Sequence, residues 1–169
     1  MPQAPQPTKP AVVTRSARVD ERHLIDVPAS GPWTDSGVTL RTGDRVDIRA
    51  WGRVRFTDVG SGVENGPAGA GAAGGCAFVV VNPTVPARAL IANVAPALTF
   101  DGSGFLVGSS WRGTTPISGA SAAEGRLFLG VNHDAVSCDR GGFDSWRFRN
   151  NSGGSFTVQL TVQRAGSGK

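Results

Sequence analysis

The chain has 169 residues, 39% of them hydrophobic, and carries a formal net charge of +4. That suits the core of one domain, and no run approaches the roughly 20 apolar residues that a membrane-crossing helix needs, so membrane insertion is not expected. With 24 glycines and 11 prolines, long helices are disfavoured and short strands joined by many turns are favoured.

Residues 1–11 are proline-rich and polar and are expected to form a flexible arm. They lack the apolar segment of a secretion signal, so the protein is expected in the cytoplasm or released by a route without a classical signal. A single domain is expected over residues 12–165, with a flexible tail at 166–169. "VVTRSARVDERHLIDVPA" offers one or two early strands. Thr42-Gly43-Asp44 is a turn. After it, Val46, Ile48, Ala50, Gly52, Val54 and Phe56 share one parity, while Arg45, Asp47, Arg49, Trp51, Arg53 and Arg55 share the other. This alternation predicts one long strand, or two segments bent at Gly52.

"TDVGSGVENGPAGAGAAGG" is expected to be a long small-residue loop without regular structure. "CAFVVV" predicts a buried strand, and a further strand is expected over residues 89–94. A short strand is expected near 105–107, with Trp111 in a loop beyond it. In "GRLFLGVN", Leu127, Leu129 and Val131 alternate against Arg126, Phe128 and Gly130. "ASAAEG" is expected to make one helical turn at most. The last strand is the clearest: Phe156, Val158, Leu160 and Val162 face one way, and Ser155, Thr157, Gln159, Thr161 and Gln163 the other. About eight short strands of this kind predict an all-β, jelly-roll-like β-sandwich.

Three features invite a functional reading. Asn150-Asn151 precedes "SGG" before the last strand. On one reading it is turn chemistry only, because Asn tolerates left-handed backbone and bonds its own main chain. On the other, Asp134 ends the strand "LFLGVN", and a carboxylate and two amide oxygens converge at one edge of the sandwich. Hard oxygen donors of that kind suit Ca²⁺. His133 neighbours Asp134 and could reach such a site. Trp146 could stack on the apolar face of a sugar, or cap the core. The second feature is the Arg45, Arg49, Arg53, Arg55 face. It is either a solvated surface that discourages edge pairing or a nucleic-acid-binding surface, with Asp47 paired to one of the arginines. Trp51 could cover a neighbouring subunit or the arm, or stack on a sugar or base. The third is Cys76 and Cys138, which pair across a long loop or remain free. Neither lies in a CxxC unit, so zinc is not expected.

Enzyme signatures fail. His23 and His133 are the only histidines, which leaves no metallohydrolase pattern. "GSSWRG" is not a nucleophile elbow, and "VGSGVENG" lacks the Lys-Ser/Thr ending of a phosphate loop. No catalytic residue is nominated.

"PWTDSGVTLRTGDRVDIRAWGRV", "NGPAG", "GFLVG", "GRLFLGVNHD" and "NNSGGSFTVQL", spanning Trp33 to Val162, resemble the LecA-like (PA-IL-like) galactophilic lectin domain. The ending "NNSGGSF" after "LGVNHD" carries most of that resemblance. It implies a small bacterial β-sandwich that binds galactose through Ca²⁺ without catalysis, often as an oligomer. It also implies a metal set of the Phe56 carbonyl, Asp134, Asn150 and Asn151, with Asp134 and Asn150 at the sugar; His133 and Trp146, from their places in the sequence, complete the expected ligand set. The expected function is thus a calcium-assisted carbohydrate-binding module, with galactose or a related sugar as ligand, in a homo-oligomer or larger assembly. The alternatives are a structural or protein-interaction subunit with a degenerate sugar site, and nucleic-acid binding through the arginine face.

Overall fold

The computed structural model describes residues 20–31, 33–56, 64–73, 85–97, 104–132 and 152–166. Among these it contains eleven strands and no helix. In chain order they are β1 (Asp20–Pro28), β2 (Thr34–Leu40), β3 (Arg45–Phe56), β4 (Glu64–Asn65), β5 (Ala70–Ala73), β6 (Pro86–Ala87), β7 (Leu90–Ala95), β8 (Phe105–Leu106), β9 (Ser110–Thr114), β10 (Gly125–Val131) and β11 (Ser152–Gln163).

Two antiparallel sheets make the sandwich. The first runs β1-β11-β3-β4, with β9 also paired to β3; the second runs β2-β10-β7-β8. β5 and β6 form a small separate pair. β3 and β11 pair in unbroken register from Phe56↔Ser152 to Arg45↔Gln163. β9 covers the other edge of β3 over Arg45–Arg49, and β4 covers it at Val54 and Arg55.

The alternation read in β3 and β11 is realised. Val46, Ile48, Val54, Phe156, Val158, Leu160 and Val162 are all at most 1% exposed. They meet Leu90, Ala92, Val94, Leu127, Leu129 and Val131 of the second sheet in one core. Burial of each large aliphatic or aromatic chain contributes about 1.5–3 kcal/mol. The bend at Gly52 is a local change inside one continuous strand. Its φ is +103°, and a Cβ there would lie 2.6 Å from the Ser155 carbonyl oxygen.

Several expectations are corrected. The stretch 57–75 is not wholly without regular structure, since β4 and β5 fall within it. Trp111 lies in a strand, not a loop, because β9 zips onto β3 and turns the indole inward. It packs on the core with its ring centroid 5.0 Å from that of Phe105. The alternation read in residues 126–131 does not separate a buried face from an exposed one, since Phe128 and Gly130 are buried as well. The outer side of the second sheet is covered by a small cluster of Val85, Ala89 and Ile91, with Trp33 packed against it. Residues 120–125 make no helical turn. There, Ser121 instead donates its N–H to the Asn93 side-chain oxygen at 3.0 Å, and the Ala122 N–H bonds the Val94 carbonyl. The proline-rich arm, the "CAFVVV" strand, and Cys76 with Cys138 lie outside the described residues. Among the described residues no helix is long and apolar enough to cross a membrane.

Candidate functional site

The two sheets bring three separated pieces of chain to one rim. In the first sheet, β1 and β3 end where β11 begins, as Pro28↔Ser155 and Phe56↔Ser152 pair. The Ala29 N–H continues that pairing to the Gly154 carbonyl at 3.1 Å. In the second sheet, β10 ends beside the starts of β7 and β2, through Val131↔Leu90 and Leu129↔Thr34. Two short links join these ends. Five residues separate Pro28 from Thr34. On the other side, Asn65 pairs with Val54, and the nearby Pro67 carbonyl accepts the Leu90 N–H at 2.8 Å. Phe56, Asn132 and Ser152 therefore share one end of the sandwich.

Those three residues border the oxygen-donor set read from the sequence. Of that set, Phe56 is described through its backbone, at the end of β3. His133, Asp134, Trp146, Asn150 and Asn151 lie outside the described residues. Asn132, which sequence reasoning did not nominate, is 1% exposed. Its amide nitrogen donates to the Pro86 carbonyl at 2.9 Å, and its backbone pairs with Arg88 and Ala89. Its side-chain oxygen is buried without a hydrogen-bond partner among the described residues. Leaving such an atom unpaired costs about 1–3 kcal/mol. An orphaned amide oxygen next in chain to His133-Asp134 fits a rim that collects oxygen donors for a hard cation. Among the described residues no three His, Cys, Asp or Glu side chains cluster as a metal site.

"NNSGGSF" also has a purely structural duty. Gly154 has φ +79°, and a Cβ there would lie 2.3 Å from the Arg53 carbonyl oxygen. Gly153 has open space around it. One of the two glycines is thus demanded by the approach of β3.

The opposite rim is held by charge. Arg164, after β11, donates from Nε to Glu21 at 2.7 Å, from Nη1 to Asp44 at 2.7 Å, and to the Thr39 carbonyl at 2.7 Å. Asp44 is 2% exposed and also accepts the N–H groups of Arg41 and Ala165, each at 3.0 Å. Burial pushes the Asp44 carboxyl up, but these N–H groups and the guanidinium hold it below the usual carboxylate range. Hydrogen bonding to Arg164 lowers Glu21 likewise, and Glu21 raises Arg164 in turn. His23 lies on β1 with Nε2 3.8 Å from a Glu21 oxygen.

The outer face of the first sheet is polar. Register places Arg22, Thr161, Asp47 and Arg112 in one cross-strand row, and Leu24, Gln159, Arg49 and Ser110 in the next. Arg112 donates from Nε to Asp47 at 2.9 Å, and Arg49 Nε lies 3.6 Å from its other oxygen. The expectation that Asp47 pairs within this face is met, with the main partner coming from β9. Leu24 and Trp51 are 70% and 48% exposed. Arg22 and Arg112 were not nominated from the sequence. Arg22 was detectable from the alternation of β1, whereas Arg112 required knowing that β9 pairs with β3.

No protein family and no curated relative match the sequence. Among solved structures, the N-terminal domain of EclA, a PllA-like lectin, aligns with a TM-score of 0.53 at 20% identity, covering 83% of this chain and 96% of that domain. The chain has the fold of that lectin domain. The all-β sandwich expected from strand alternation, and the resemblance carried by "LGVNHD" and "NNSGGSF", agree with this likeness.

Proposed function

We propose that this protein is a non-catalytic, calcium-assisted carbohydrate-binding module whose sugar site lies at the rim bounded by Phe56, Asn132 and Ser152. The observation that carries this reading is the placement of those three residues at the same end of the sandwich. They border, in sequence, every member of the oxygen-donor set. The fold shared with a PllA-like lectin supports it, as does the orphaned Asn132 oxygen.

The Phe56 carbonyl, Asp134, Asn150 and Asn151 would hold the cation, a set of hard oxygens that suits Ca²⁺. Bound there, calcium would supply coordination positions for two vicinal sugar hydroxyls. Asp134 and Asn150 would accept the protons of those hydroxyls, and His133 and Trp146 would border the sugar, with Trp146 offering an apolar face. On this reading specificity is stereochemical: only a ring that presents two hydroxyls toward the same cation is held, and galactose is the first ligand to test.

Calorimetric titration of galactose in calcium, and again after chelation, tests the reading. Chelator-sensitive binding that is lost in Asp134→Ala supports it. A folded protein that ignores every sugar of a glycan array in both conditions, yet assembles into oligomers, would favour an interaction subunit instead.

A further inference from the structure

We infer that the outer face of the first sheet is a second, calcium-independent binding site, and that it takes a carboxylate-bearing polysaccharide. A groove of about 670 Å³ runs across this face, with Arg22, Arg45, Arg49 and Arg112 around it and Asp47 as its only acidic lining residue among the described residues. That volume is within the range of ligand sites, roughly 300–1,000 Å³. The arginines come from β1, β3 and β9, so they span three strand spacings, about 14 Å. This width suits a polymer more than a lone anion.

Asp47 is already engaged, by Arg112 and by Arg49. One arginine fork is hydrogen-bonded to a carboxylate inside the groove and a second lies 3.6 Å from it, and a carboxylate is a group that such forks can grip bidentately. Arg22 and Arg45 have no carboxylate partner among the described residues, and Arg49 and Arg112 remain 68% and 74% exposed at the side chain. The groove lining therefore keeps an excess of three positive charges, while Asp20 and Asp26 flank Arg22 on the same side of β1.

The floor chooses between kinds of polyanion. Gln159, Thr161 and Gln163 line it, offering amides and a hydroxyl to a hydroxyl-rich chain. A single-stranded nucleic acid is held by successive stacked bases, and among the described residues the groove lining contains no aromatic side chain. Trp51 stands one row away, opposite Thr157. One indole beside a polar, arginine-edged floor matches an acidic glycan better than a base-stacking track.

The site rests on the arginine face alone and is independent of the calcium rim. The test measures binding of a uronic-acid hexasaccharide in the presence of chelator. It is compared with a neutral hexasaccharide, a sulfated hexasaccharide, and a DNA oligonucleotide of equal charge. The uronate is expected to bind best, and more weakly as salt is raised. The double variant Arg45→Gln/Arg49→Gln should weaken it about tenfold, and Arg22→Gln should weaken it by a smaller factor. Arg55→Gln, on the same strand but outside the groove, should leave it unchanged. Asp134→Ala should retain uronate binding, and the double variant should retain any calcium-dependent galactose response, so the two sites fail separately. The inference is overturned by absence of uronate binding, by equal or tighter binding of the DNA or the sulfated glycan, or by an equal loss in Arg55→Gln.

Discussion

Arg164 Nη1 donates to Oδ2 of the buried Asp44 at 2.7 Å, across 120 residues of chain. This contact ties the end of β11 to the turn between β2 and β3. Asp44→Ala would leave the Arg41 and Ala165 N–H groups without their acceptor and take from Arg164 one of its two carboxylate partners, Glu21 remaining. Losing one partner of a buried, hydrogen-bonded pair costs about 3–5 kcal/mol. Because Arg164 is 29% exposed at its side chain, the lower end applies, about 3 kcal/mol. At 2–4 °C per kcal/mol for a chain of this size, the melting temperature should fall by roughly 6–12 °C. Thermal unfolding followed by circular dichroism measures it, and a fall of under about 2 °C would contradict the assignment.

The same rim sets an acid response. Glu21 and Asp44 both have folded-state values below the usual carboxylate range. As acid is added, the unfolded chain therefore binds protons before the folded chain does. Their contribution is complete above the ordinary carboxylate values near pH 4 and is lost as pH falls through the lowered ones. Urea midpoints between pH 7 and pH 2 should drop over that window. Asp44→Asn should be less stable at pH 7 and show a shallower fall.

Adjacent glycines before the last strand should behave oppositely. Gly154→Ala forces a Cβ onto the Arg53 carbonyl from a left-handed backbone, a strain of about 1–3 kcal/mol before any clash. Gly153→Ala meets nothing within 4 Å and should change stability by under about 0.5 kcal/mol. Chemical denaturation of the two variants distinguishes a backbone requirement at one position from a shared ligand role.

Calcium should stabilise the fold if the rim takes it up. A cation at about 100 times its dissociation constant adds about 2.7 kcal/mol, or roughly 5–11 °C for a chain of this size. Asp134→Ala should abolish the increment while leaving the metal-free melting temperature nearly unchanged. An increment that survives the substitution would place the cation elsewhere.

The sequence made the sandwich legible where each strand has one buried face. β3 and β11 announce themselves because Val46, Ile48 and Val54, and then Phe156 through Val162, alternate strictly with polar residues. β9 was hidden, since "SWRGT" offers only Trp111 as a large inward side chain, with Gly113 making room beside its ring. β10 was legible only in part: alternation sets Phe128 opposite Leu127 and Leu129 but does not reveal that Val85, Ala89 and Ile91 cover the outer side of its sheet. For the site, the sequence names donor types, and pairing supplies their neighbourhood. The role of Asn132 needed its burial, which no motif encodes. The groove needed Arg112 to be placed beside Asp47, a relationship between residues 65 positions apart.

β11 lies between β1 and β3, although it is the last of the three in chain order. During biosynthesis the two earlier strands emerge with no shared partner, and must wait for some hundred residues more. Closure of this layer is consequently a late event with distant pairings, which slows folding and prolongs exposure of unpaired edges. The arginines and aspartates on β1 and β3 then have a second use, keeping the half-made layer from joining a neighbour's.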